Sequence, residues 1–71
     1  MNHIRERRKA LGLTQVRLGI LVGLANSLIS DFELDKRKPW PRARRSLARA
    51  LKCGEAELFP NIGKEGGQNG N

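Results

Sequence analysis

Glycine and proline divide this chain into short pieces, and that punctuation constrains its fold more than any other feature. Residues 2–11 read as a helix with Ile4, Arg8 and Leu11 on one stripe, and Gly12 offers a left-handed stop. Thr14 is a good N-cap for a second helix over 15–22, whose inner face is Leu18, Gly19 and Val22. Gly23 ends it. A third short helix, 26–34, turns Ile29, Phe32 and Leu28 inward, and Asp35 follows where Asp tolerates positive φ. Pro41 suits the first turn of a fourth helix, 41–52, which packs through Ala43, Leu47, Ala50 and Leu51. Residues 55–59 add one more turn and close the core with Leu58 and Phe59. No segment alternates as a strand does. The expectation is an all-α fold of five helices.

The chain has 71 residues, enough for one small domain, expected over 1–60. Residues 61–71 contain four glycines and no periodicity, and are expected to form a disordered Gly-rich tail. Phe32, Trp40 and Phe59 are the only aromatics, so the core must come from aliphatic side chains. A fold of this size buries only about 60% of its unfolded surface, so its stability is marginal. No apolar run reaches the roughly 18 residues of a membrane span, and no signal peptide is recognisable. A soluble protein, cytoplasmic and unattached to membrane, is the expected class. With one cysteine, Cys53, and one histidine, His3, neither a disulfide nor a metal site can be built, and no cofactor is implied.

The charge is concentrated. Residues 1–35 carry five basic and four acidic side chains, and residues 53–71 carry one and three. Residues 36–52 carry eight basic side chains, from Lys36 to Lys52, and no acid. A solvated helix face normally mixes both signs. This segment does not, and a concentrated positive field attracts polyanions, nucleic acid first. Enzyme readings fail for want of parts. There is no Gly-rich phosphate loop ending in Lys-Ser/Thr, no His-x-x-x-His, and no Ser or Cys with a nearby His base.

Two short helices joined by a tight glycine turn beside a basic segment have the layout of a helix-turn-helix. Leu18 anchors the second helix, and Gly19 is small enough to let the third cross closely. Gly23 makes the turn, Leu24 plugs beneath it, and Ile29 and Phe32 fasten the third helix to the core.

Residues 4–60 resemble the phage-repressor and Cro type of helix-turn-helix, the XRE-like family with the lambda-repressor-like fold. The likeness rests on Leu11-Gly12-Leu13-Thr14-Gln15, Leu18-Gly19, Val22-Gly23, Ile29-Ser30 with Phe32-Glu33, Lys36-Arg37-Lys38-Pro39, Leu47 to Leu51, and Glu57-Leu58-Phe59. The resemblance implies a transcriptional regulator, a repressor or autoregulatory controller, that reads the major groove of double-stranded DNA with its third helix. It implies that Gln15 hydrogen-bonds a phosphate and that Asn26 and Ser27 reach base edges. Ser30 and Asp31, one turn on, come within range of bases or phosphates, and Lys36, Arg37 and Lys38 lie along the backbone. Arg8 and Glu33 match an inward-facing structural ion pair. Family members commonly bind palindromic operators as homodimers, through the region of the fourth helix and residues 55–59.

The chain also departs from that pattern. Ala25 stands where a Ser or Thr N-cap is usual, so Asn26 either caps the third helix or reads bases. Asp31 places a carboxylate on the reading helix, repelled by phosphate but able to accept from a cytosine amino group. Val16, Ile20 and Leu21 are apolar where charged residues are common, which invites a protein partner. An interaction module such as an antitoxin, using that face, is therefore the alternative to a DNA regulator, and a non-specific RNA binder is a weaker third reading. Trp40, between two prolines, reads as shielding the core rather than stacking on DNA. Arg42, Arg45 and Arg49 share an outer face open to solvent or to a phosphate backbone, and Arg44 has no evident role.

Overall fold

A computed structural model describes residues 2–60. The disordered tail expected over 61–71 lies outside the described residues. The described chain is all helical, with α1 (Ile4–Ala10), α2 (Gln15–Val22), α3 (Asn26–Glu33), α4 (Pro41–Ala50) and α5 (Glu55–Leu58), and no strand occurs among the described residues. None of these helices is long and apolar enough to cross a membrane.

Each boundary has a local cause. The Asn2 side-chain oxygen accepts from the Ile4 N–H at 3.1 Å, so α1 begins at Ile4 rather than at residue 2. At its other end Leu11 turns out of the helix; at 37% exposure it leaves the core stripe on which the sequence had placed it. Thr14 Oγ1 accepts from the Arg17 N–H at 3.0 Å and caps α2. Gly12, Gly23 and Asp35 all take positive φ, at 72°, 73° and 60°. Helix α3 stops at Glu33 with Leu34 as its C-cap, one residue short of the expected end. Helix α4 stops at Ala50, and the backbone reverses through Lys52 at φ 58°, a left-handed lysine that no sequence signal marks. Helix α5 ends at Leu58, with Phe59 as its C-cap.

The core is one cluster fed by all five helices. Ile4, Leu18, Ile29, Phe32, Leu47, Leu51 and Leu58 are completely buried, joined by Ala43, Ala48 and Phe59. Burying each large side chain contributes roughly 1.5–3 kcal/mol. Leu13, Val22, Leu24, Leu28, Ala50 and Cys53 pack around this centre. A Cβ added at Gly19 would lie 2.5 Å from the Leu24 carbonyl oxygen, so the crossing of α2 and α3 requires glycine there. The Leu24 N–H closes the turn by donating to the Gly19 carbonyl at 2.9 Å.

Two side chains act as clasps. Asn2 Nδ2 donates to the Phe32 carbonyl at 2.7 Å and to Asp35 Oδ1 at 3.1 Å, fixing the C-terminal end of α3 to the start of the chain. Arg7 Nη2 donates to the carbonyls of Leu51 and Lys52, at 3.2 and 3.4 Å, and so satisfies acceptors left open where α4 ends.

Candidate nucleic-acid interface

Helix α3 turns Ile29 and Phe32 inward and presents its first turn to solvent. Ala25 is the N-cap residue and makes no side-chain cap bond; Asn26 and Ser27, both exposed, follow it. Ser30 and Asp31, one turn further, are half-buried. The chain then leaves α3 through Lys36, Arg37 and Lys38, all exposed. The described structure thus brings Asn26, Ser27, Ser30 and Asp31 onto one helix, with the basic loop at its far end.

Gln15 opens α2, and its side chain is not free. Its Nε2 donates to Glu33 Oε1 at 3.1 Å, which commits one of the two amide hydrogens and fixes the orientation of the group. Glu33 is also the partner of Arg8. Arg8 Nε donates to Glu33 Oε2 at 2.6 Å, Nη2 donates to Oε1 at 3.3 Å, and Nη1 donates to the Leu13 carbonyl at 2.8 Å. The two side chains are 10% and 4% exposed. A guanidinium and a carboxylate buried together are tolerable because they neutralise each other and all three guanidinium nitrogens and both carboxylate oxygens are hydrogen-bonded. The pair links α1, α3 and the loop before α2, so the orientation of α3 and of Gln15 rests on one charged knot.

Trp40 packs on the core, as its place between two prolines suggests, but only in part. Its ring meets Phe32 edge-on, with centroids 5.8 Å apart and planes at 76°, yet 43% of the residue remains exposed. It packs against the core without being covered by it. Arg44, without a role in the sequence, donates from Nη1 to the Pro39 carbonyl at 3.1 Å and places Nε 3.6 Å from Glu55 Oε1. It staples the proline-bounded loop to α4 and α5. Arg42, Arg45 and Arg49 are exposed along α4 and, with Cys53 and Glu55, line an open groove of about 550 Å³.

The apolar surface of α2 divides in two. Val16 and Ile20, 56% and 66% exposed, lie four residues apart on one flank. Leu21, 57% exposed, points to the other flank, where it lines a cavity with Ser46, Arg49, Ala50 and Lys52 of the α4 region. At 100° per residue these three positions cannot form a single narrow face.

A family model described as helix-turn-helix matches residues 4–58, and the chain belongs to that family. It is similar to Repressor protein C2 of Salmonella phage P22, with 40% identity over 50 residues; the match covers 70% of this chain and 23% of that repressor's length. Among solved structures it is similar to the P22 c2 repressor in complex with the synthetic operator 9T in the presence of Tl+. That likeness has a TM-score of 0.73 and 38% identity, and covers 75% of this chain and 80% of the solved one.

Proposed function

We propose that this chain is a sequence-specific DNA-binding transcriptional regulator, a repressor or autoregulatory controller. The observation that carries this reading is the exposed, uncapped first turn of α3, with Asn26 and Ser27, held by a buried ion pair and continued by a loop of three cations. The similar P22 repressor, crystallised with a synthetic operator, supports the same reading. In it α3 enters the major groove and Asn26 and Ser27 contact base edges. Ser30 and Asp31 work one turn deeper, where the Asp31 carboxylate accepts from a cytosine amino group and disfavours guanine. Gln15 gives its second amide hydrogen to a phosphate, aimed by its bond to Glu33, while Lys36, Arg37 and Lys38 neutralise the backbone. Arg8 and Glu33 stay inside as structure. Two copies bind a palindromic site, and occupancy excludes or recruits polymerase in the cytoplasm.

Selection of bound duplexes from a random library tests this directly. Enrichment of a palindrome with half-sites one helical turn apart is the expected result. Binding that unrelated DNA competes away at every sequence would overturn sequence-specific regulation. A second reading, a protein partner seated on α2, is favoured by the exposure of Val16 and Ile20; in that case Ile20→Ser, which adds no charge, would abolish partner binding and leave DNA affinity unchanged.

A further inference from the structure

We propose that Trp40 is itself a DNA contact, an indole laid against the sugar–phosphate edge of the strand that residues 36–38 follow. The inference rests on the DNA-binding reading above and adds to it a residue outside the helix-turn-helix. Large aromatics in a fold this short are needed for the core, yet Trp40 leaves 43% of its surface outside while it packs in a T-shaped contact with Phe32. The ring is held in place: Pro39 and Pro41 restrict the backbone on both sides, Arg44 bonds the Pro39 carbonyl, and Phe32 sets the tilt. A side chain immobilised before binding loses little entropy when it docks.

Its surroundings select the ligand. Trp40 shares a shallow cavity of about 270 Å³ with Gly23 and Leu24, the turn that leads into α3, and with Arg42. Phe32, its ring partner, belongs to α3 itself, so the indole flanks the helix that reads bases. Along the chain it stands between Lys38 and Arg42, in the segment 36–52 that holds no acid. A surface that offers a partly exposed aromatic ring beside the Arg42 guanidinium, in a segment without acid, matches a deoxyribose with its neighbouring phosphates. An acidic peptide would satisfy the cations but has no regular apolar face to cover the ring.

The chain has one tryptophan and no tyrosine, so its intrinsic emission reports on Trp40 alone. Titration with a mixed-sequence duplex at low salt should change that emission and protect it from acrylamide, because a backbone contact needs no particular sequence. Trp40→Ala should weaken binding about tenfold, and equally on selected and unselected duplexes. Trp40→Phe, which keeps a ring against Phe32, should hold the fold and lose part of that affinity. A duplex that binds by mobility shift while emission and acrylamide access stay unchanged overturns the Trp40 contact and leaves the regulator reading intact. A protein that shifts no duplex at all overturns both.

Discussion

Arg8 and Glu33 are joined by two hydrogen bonds, Nε to Oε2 at 2.6 Å and Nη2 to Oε1 at 3.3 Å, and this pair fastens α1 to the last residue of α3. Its two charges lie on helix faces that are otherwise apolar, so neither has water to fall back on.

Removal of one partner should therefore be severe. Glu33→Ala strands a buried guanidinium and should destabilise the fold by about 3 kcal/mol, a large share of what a domain of this size has. Glu55→Ala removes a longer contact to Arg44 at 3.6 Å, between side chains that are 26% and 37% exposed, and should cost less than about 1 kcal/mol. Thermal melts of the two variants beside the parent decide it; equal midpoints would exclude a structural role for the pair.

Two glycines of the helix-turn-helix should fail for different reasons. At Gly19 there is no room, since a Cβ would meet the Leu24 carbonyl oxygen at 2.5 Å, and Gly19→Ala should cost roughly 1–3 kcal/mol by pushing α3 away. At Gly23 there is room, with nothing within 4 Å of an added Cβ, but φ is +73°. Gly23→Ala should cost about 1–2 kcal/mol from backbone strain alone, and Gly23→Asn should recover most of it. Urea titrations of the three variants separate the two mechanisms; an Asn no better than Ala at position 23 would contradict the strain account.

These glycines were legible in the sequence because each marks a backbone need that other residues meet poorly. The same holds for Gly12, for the Thr14 cap and for Asp35 at φ 60°. The five helices and the aliphatic centre followed from spacing for the same reason: local signals and burial agreed. Contacts far apart in sequence left no such mark. Nothing local indicates that Arg7 reaches the Leu51 and Lys52 carbonyls, 44 and 45 residues away, or that Asn2 reaches Phe32 across 30. Arg44 looked idle because its partners, Pro39 and Glu55, lie in two different elements. For Trp40 the prolines indicated packing, but position alone could not say that nearly half the residue stays outside.

The charged loop and α3 should separate in binding experiments. Arg37→Ala should weaken binding almost equally on every duplex and lower the slope of log affinity against log salt by about one. Asn26→Ala should instead change which bases are preferred. A uniform loss for Asn26→Ala would make it a phosphate contact, not a reader.

Gln15 offers a sharper test, because the amide that bonds Glu33 is also the one proposed to meet a phosphate. Gln15→Ala removes one of the two donors to Glu33 Oε1, leaving Arg8 Nη2 at 3.3 Å, and should reduce DNA affinity uniformly with a small loss of stability. Gln15→Glu sets a second carboxylate beside Glu33 and against the phosphate together, and should be far worse on both measures. If Gln15→Glu binds as well as Gln15→Ala, the side chain lies away from the backbone.

Dimerisation should be weak in solution and strong on DNA. One short helix reads about 4–5 base pairs, too few to single out a site among the millions in a genome. Two copies about a two-fold axis double the readout and set half-sites about 34 Å apart. An interface through the end of α4 and α5 is the one expected to keep both α3 helices on one side of the pair, whereas contact through Val16 and Ile20 on α2 would tend to splay them. That favoured interface has a physical weakness. Arg49 and Lys52 are exposed at and just beyond the end of α4, and two copies of a chain of net charge +7 must be brought together there. Like charges at close range oppose association until a polyanion neutralises them. Sedimentation of the free protein should show mainly monomer, and addition of a palindromic duplex should give a complex of two chains per duplex. Reducing that duplex to one half-site should lower affinity sharply; a monomer that binds the half-site as tightly as the whole contradicts the dimer outright.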